Sequence, residues 1–347
     1  MRAHEKTRHE TTSMLVSFDR GVHHPQFLKF EILVACALFA LAYTVIPWPE
    51  IFESIYRYSM IDRKVYEMQI VTHDLSIDYL GYNDKISYIT REYFWQATLR
   101  YFSREIGLSP AIIFGIISFI AIFSFSLTIA RTVGLPWIVL LVNPLVVDFA
   151  FSQLRLALAA GLALIFINLY LSRPIRTSAV AVALSMIHTA SMLFFFMGGV
   201  AKWVSAQTWA RTYVAAIPLV LSGMTVSVLI GPVRGFLLGF AGDRRAVYSD
   251  MGSSGLYLAF WIGLLLVLIY RWKAVRNRFE TAIAIIILSL VATNLLTNGY
   301  STRFLAAAFP FLIISMISLD GIYRLAVLYA FVFYALYQWV FWLRLLG

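Results

Sequence analysis

The sequence predicts an all-α, polytopic integral membrane protein of roughly ten transmembrane helices. Three observations carry this. Of 347 residues, 61% are hydrophobic and only 13% charged, which leaves too little polar surface to clothe a soluble globule of that size. Apolar runs of about 20 residues, the length a helix needs to cross ~30 Å of hydrocarbon, recur from Phe27 to the C-terminus. Basic residues collect at the ends of those runs. The net charge of +10 therefore reads as a device that orients the chain in a membrane, and not as a nucleic-acid footprint.

Residues 1–26 are polar and of mixed charge, without the short apolar core and small-residue cleavage site of a signal peptide; they read as a cytoplasmic tail. Four histidines lie there, His4, His9, His23 and His24, at spacings that fit no usual metal-ligand set. Cys36 is the only cysteine, so no disulfide forms within the chain. Residues 27–347 read as one transmembrane domain. Its expected spans are Phe27–Trp48, Pro110–Ala130, Pro136–Phe151, Leu154–Leu171, Thr177–Val200, Thr212–Ile230, Gly255–Tyr270, Thr281–Thr297, Phe304–Ser318 and Ile322–Leu345. No internal repeat or low-complexity segment interrupts them.

The segment 48–109 stands apart. It holds nine of the chain's 18 acidic residues and seven basic ones, and its acidic bias places it outside, opposite the basic tail. Within it, KISYITREYFWQATLRYFSRE sets Ile86, Ile89, Tyr93, Ala97 and Tyr101 at helical spacing, the pattern of an amphipathic helix lying at the membrane–water interface. Counting spans onward meets a conflict. If Thr177–Val200 crosses once, RWKAVRNR (271–278), with four basic residues in eight, falls outside, against the positive-inside rule. A helix broken near SMIHTAS (185–191) that enters and returns removes the conflict. It also brings loop 48–109, Arg155, the segment 231–255 and NGYSTRF (298–304) to the same outer side, with His188 partway in beneath them.

Arg155 is the residue most in need of a partner, because an arginine inside an apolar helix costs ~2.5–3.5 kcal/mol on insertion scales. Near its helix end it either snorkels to headgroups or pairs with Asp148, or it serves as a bidentate donor to an anionic diphosphate, with Arg303 as a second fork on the same side. His188, the only histidine in the membrane-embedded part, is either an interhelical tie or a general base, since partial burial favours the neutral imidazole. Asp78, Asp84 and Tyr88 form either a solvated turn or, with Trp95, a glycan site in which carboxylates accept sugar hydroxyls and aromatic rings stack on pyranose faces. Asn298 and Tyr300 add neutral donors and acceptors beside Arg303, and Asn294 serves there or between helices. No phosphate-cradling glycine loop, zinc helix motif or nucleophile elbow is present.

In order, DYLGYNDKISYI, SQLRLALAAGLAL, MIHTASM and NGYSTRF resemble the EpsG family of Wzy-type polysaccharide polymerases over roughly residues 75–305. The resemblance implies a bacterial inner-membrane glycosyltransferase with a GT-C-like helical fold. Such an enzyme joins undecaprenyl-diphosphate-linked oligosaccharides at the periplasmic face, among membrane lipids and with a chain-length regulator as a further partner. Arg155, His188, Asp84 and Arg303 match the family's arginine before a small-residue helix, its intramembrane histidine, its aspartate before a tyrosine and its late arginine; the roles follow from their chemistry, Arg155 and Arg303 binding the diphosphate and His188 first, Asp84 second, serving as the catalytic base. Asp78, Tyr88, Trp95, Asn298 and Tyr300 would then hold the glycan. No cofactor or metal is expected, because the diphosphate leaving group is already activated. A flippase for lipid-linked oligosaccharide and a membrane-bound acyltransferase are the competing readings. The first lacks the paired repeats common in transporters, and the second gives the arginines and the acidic loop no task.

Overall fold

A computed structural model describes residues 29–56, 60–72, 92–170, 174–208, 212–234, 236, 255–297 and 301–344, and among these the regular structure is entirely helical. Helix α1 (Phe30–Val45) ends where Ile46, preceding Pro47, turns extended, and the chain bends by 41° into α2 (Trp48–Tyr56). The acidic segment contributes α3 (Ile61–Val71) and α4 (Tyr93–Arg100), the latter running into a π turn at Tyr101–Glu105. In α5 (Pro110–Thr132) a proline occupies the first turn, where its missing N–H costs nothing. A 3₁₀ segment (Leu135–Leu141) precedes α6 (Pro144–Phe151). The Asn143 side chain caps that helix by accepting from the Leu145 amide at 2.9 Å, and a 100° bend leads into α7 (Leu154–Tyr170).

There follow α8 (Pro174–Ser185), α9 (Ser191–Ala206), α10 (Thr212–Val228), α11 (Gly255–Tyr270), α12 (Arg278–Thr297), α13 (Ser301–Ala307), α14 (Phe309–Ser318) and α15 (Gly321–Arg344). Four helices, Pro110–Thr132, Val214–Val233, Arg278–Thr297 and Gly321–Val340, are long and apolar enough to cross a membrane, and the two bent pairs raise the number to six among the described residues. This fits a polytopic membrane protein. Serines and threonines inside these helices return their hydroxyls to the preceding turn, as Ser126 Oγ does to Ile122 O at 2.7 Å and Ser289 Oγ to Ile285 O at 2.7 Å. These hydroxyls are thereby not left to the lipid.

Two expected spans are divided. Pro136–Phe151 is a 3₁₀ segment followed by a short helix, because Pro144 can sit in a helix only near its start. Phe304–Ser318 breaks at Ala308, ahead of Pro310, into α13 and α14. The amphipathic stripe is also corrected. Helix α4 buries Trp95 and Leu99, while Tyr101 is exposed, so the face that packs onto Ile113, Phe114, Leu154 and Leu158 of the bundle is not the expected stripe of Tyr93, Ala97 and Tyr101, whose Ile86 and Ile89 lie outside the described residues.

Side-chain contacts fix which helix ends meet. Arg303, at the start of α13, pairs with Asp62 of α3 at 3.1 Å, and Trp48 stacks on Trp339 near the end of α15 with ring centroids 5.8 Å apart. The acidic segment therefore lies at the end of the bundle where α12 and α15 finish. At the other end Arg271 Nε donates to Asp320 Oδ1 at 3.1 Å and the guanidinium lies 4.6 Å from the Tyr323 ring centroid. The twenty residues of α12 separate the two ends by about 30 Å.

Helix α10 runs parallel to α12. Gly223 lies against Ile286–Leu290, and one turn on Ser227 Oγ donates to Asn294 Oδ1 at 2.8 Å. The chain thus enters α10 at the basic end and leaves it, at Leu229–Val233, on the side of Arg303. Helix α7 starts beside the acidic segment and descends. Helix α8 climbs back to His188, and α9 begins with Phe194 stacked on Phe304 at 5.2 Å before returning toward the start of α10. The break expected at 185–191 lies at Met186–Ala190, and α8 and α9 form a hairpin that enters and leaves by the same end.

Two predictions follow from this packing. Single cysteines at Glu53 and Lys273, each in a Cys36→Ser background, react with an impermeant maleimide from opposite faces of the membrane; labelling of both from one face would refute the hairpin. A Cβ on Gly223 would stand 2.3 Å from the Ile286 carbonyl oxygen, so Gly223→Ala pushes α10 off α12 and lowers stability by about 1–3 kcal/mol in detergent unfolding. An unchanged unfolding midpoint would show that the two backbones do not approach so closely.

Candidate functional site

Three segments distant in sequence converge at the acidic end. Arg155 opens α7, His188 sits in the α8–α9 break, and Glu92 caps α4 from a left-handed backbone conformation, φ 56° and ψ 52°. Glu92 is the only non-glycine residue with positive φ among the described residues. Such a conformation costs of order 1–3 kcal/mol and persists where surroundings over-determine it.

Here they do. The Arg155 Nη1 donates to Glu92 Oε2, His188 Nδ1 is in hydrogen-bond contact with Glu92 Oε1, and the Thr189 amide donates to that same oxygen at 3.3 Å. Glu92 is 5% exposed. Below it Trp95 meets the Tyr66 ring edge-on at 5.0 Å, and the Arg155 guanidinium lies 5.4 Å from the Tyr66 ring centroid, a cation–π contact that adds to the charge pair.

The same contacts explain the helix break. SMIHTAS contains neither glycine nor proline. The Met186 carbonyl, which a continuous helix would give to Ala190, instead accepts from the Phe94 amide at 2.9 Å, and the Thr189 amide is taken by Glu92. The first turn of α4 thus supplies the hydrogen bonds that the interrupted helix lacks, as backbone at membrane depth requires.

Burial alone would raise the Glu92 carboxyl. The His188 hydrogen bond, the Arg155 charge and the Thr189 amide outweigh it and bring it down to about 2. Glu92 is thus ionised around neutral pH and a poor proton acceptor. Arg155 and His188 each stay partly accessible, with 31% and 19% of their side chains exposed. Arg155 Nη1 is engaged by Glu92 and a second side-chain hydrogen bond joins Arg155 to Tyr66, so part of its fork of five N–H donors is already committed within the cluster.

Of the expected site residues, the structure brings Arg155 and His188 together. Arg303 lies alongside through Asp62, whose charge acts on Arg155. The anticipated Arg155–Asp148 pair is replaced by Arg155–Glu92, while Asp148 Oδ2 accepts from Gln153 Nε2 at 3.0 Å. Each of the two expected forks faces a carboxylate, Arg155 that of Glu92 and Arg303 that of Asp62. Trp95 is completely buried, so it has no face for a sugar and serves as the floor of the cluster. Asp78, Asp84, Tyr88, Asn298 and Tyr300, and the histidines of the tail, lie outside the described residues.

Glu92 and Asp62 went unremarked as site residues. The one signal in the sequence was their membership of the acidic segment; the left-handed turn that aims Glu92 leaves none. Among the described residues no three His, Cys, Asp or Glu side chains group so as to hold a metal ion. No protein-family model, curated protein or solved structure matches the chain.

The depressed Glu92 pKa has a measurable consequence. Its stabilising effect is complete above the unfolded value of about 4.5 and is lost as pH falls toward the folded value of about 2. The gap in unfolding midpoint between the wild type and Glu92→Gln should therefore shrink across that window. A gap that stays constant through it would show that the carboxylate is not held ionised by its partners.

Proposed function

We propose that the chain is a polysaccharide polymerase of the EpsG, Wzy-type kind, which transfers a growing glycan from undecaprenyl diphosphate to a sugar hydroxyl of the next lipid-linked repeat. The observation that carries the reading is that Arg155 and His188, the two membrane-embedded residues with chemistry suited to this transfer, share one buried carboxylate at the acidic end of the bundle. Sidedness supports it. Lys29, Arg131, Arg271, Lys273, Arg276, Arg278 and Arg324 mark the opposite end, against Glu31, Glu280 and Asp320, which by the positive-inside rule is the cytoplasmic one. The cluster then faces the periplasm of a bacterial inner membrane. In this reading the shorter apolar helices join the long and bent ones in a GT-C-like arrangement of roughly ten membrane helices.

In the reaction, His188 takes the proton of the acceptor hydroxyl. The freed oxygen pair forms the new bond to the anomeric carbon of the growing glycan. The bond from that carbon to the diphosphate oxygen breaks, and its electron pair stays on the diphosphate. Negative charge grows on the leaving oxygen, beside Arg155, so a preorganised guanidinium stabilises the transition state more than the ground state. Arg303, held by Asp62 at the rim, extends the cationic edge toward the second phosphate. The transfer uses no cofactor.

Purified protein in nanodiscs with undecaprenyl-diphosphate repeat units should yield a polymer ladder. Arg155→Lys should lower kcat on the order of 10²–10³-fold, because a point charge cannot reproduce a planar fork, and His188→Gln on the order of 10²–10⁴-fold with KM changing far less. Translocation without polymer, or acyl transfer, would overturn the reading in favour of a flippase or an acyltransferase.

A further inference from the structure

A base at His188 needs one imidazole nitrogen carrying a lone pair and aimed at the acceptor, which a histidine alone does not guarantee, since either ring nitrogen can hold the proton. We propose that Glu92 is the positioning residue that sets this tautomer, holding the proton on His188 Nδ1 so that Nε2 is the nitrogen that receives the acceptor proton, and that it fixes the Arg155 fork with its other oxygen. The inference rests on the polymerase reading for its role in turnover.

Three independent features lead to it. The two oxygens of Glu92 are divided, one to Arg155 Nη1 and one to His188 Nδ1 with the Thr189 amide. A carboxylate only accepts, so the ring nitrogen facing it is the donor, and the remaining nitrogen is left with its lone pair. The side chain is aimed by a left-handed backbone that costs free energy, and nothing in α4 itself requires it, since Glu92 makes no side-chain cap to its own helix. The histidine is held from the backbone side as well, because Phe94, two residues after Glu92, donates to Met186, two residues before His188, at 2.9 Å. Histidine and carboxylate therefore move as one body.

During turnover the proton from the acceptor goes to Nε2 and the Nδ1–H stays where it is. The imidazolium so formed lies against the Glu92 anion and is stabilised by it. Glu92 takes no proton and touches no reacting atom, so it is not itself a catalytic residue.

The substitution Glu92→Gln is informative because an amide carries one accepting oxygen where the carboxylate has two. If that oxygen stays with Arg155, the NH₂ faces Nδ1 and drives the ring to the opposite tautomer. If the oxygen turns to His188, the NH₂ confronts the guanidinium. The ¹⁵N spectrum of histidine-labelled protein, with His188→Gln identifying the His188 signals, reads the tautomer without any substrate. Wild type should show the proton on Nδ1 and Glu92→Gln a shift toward Nε2, with kcat for polymer formation falling on the order of 10²–10⁴-fold and KM changing far less. Should the unpaired Arg155 keep Glu92→Gln from folding, the double variant Glu92→Leu/Arg155→Gln removes both that charge and every side-chain acceptor at Nδ1, and its ring should lose the bias toward the Nδ1 proton. A wild-type ring protonated on Nε2, or Glu92→Gln protein that polymerises at the normal rate, would overturn the proposal. Wild-type protein with the Nδ1 proton that makes no polymer would uphold the pair and overturn the polymerase reading instead.

Discussion

Glu92 accepts from Arg155 through one carboxylate oxygen and meets His188 and the Thr189 amide through the other, and this division of two oxygens between an arginine and a broken helix organises the acidic end of the molecule. Each ion would be costly alone. An arginine in an apolar helix stands ~2.5–3.5 kcal/mol above its position in water on insertion scales, and a buried carboxylate carries a penalty of several kcal/mol. Paired with each other, and with His188, the Thr189 amide and Tyr66 as further partners, the two offset one another. Removing one leaves the other buried and uncompensated, which typically costs about 3–5 kcal/mol.

The hairpin of α8 and α9 depends on that pairing. A chain that turns back at membrane depth exposes backbone amides and carbonyls with no water to meet them. Here the acidic segment reaches in and satisfies two of them, Met186 O through Phe94 and Thr189 N through Glu92. The same turn places an imidazole below the rim of the bundle. The helix break and the placing of His188 against Glu92 are thus one structural event, made possible by a loop element packed over α5, α7 and α8.

How much of this was legible can be argued residue by residue. Arg155 was conspicuous because a lone guanidinium in SQLRLALAAG violates the hydropathy of its surroundings, and His188 for the same reason. The break near His188 was inferred from the position of RWKAVRNR alone, since charge bias constrains the number of crossings between two loops. Glu92 was not legible. One glutamate among nine acidic residues in its segment is set apart by a left-handed backbone and by what lies opposite, and neither is written locally. Trp95 misled for a related reason: tyrosine- and tryptophan-rich loops suit both sugar stacking and helix docking, and the choice falls to whichever face meets the bundle.

By itself the sequence determined the helical membrane class, the acidic and basic ends and the two conspicuous polar residues, because hydropathy and charge act through composition and are summed along the chain. Tertiary structure decided the rest. It cut two expected spans at prolines, turned the α4 face from Tyr101 to Trp95 and Leu99, and gave Arg155 a partner 63 residues away in place of the neighbouring Asp148. A buried ion pair answers to three-dimensional proximity and to the desolvation of both groups together. That property belongs to the packed assembly of segments, and no single segment carries it.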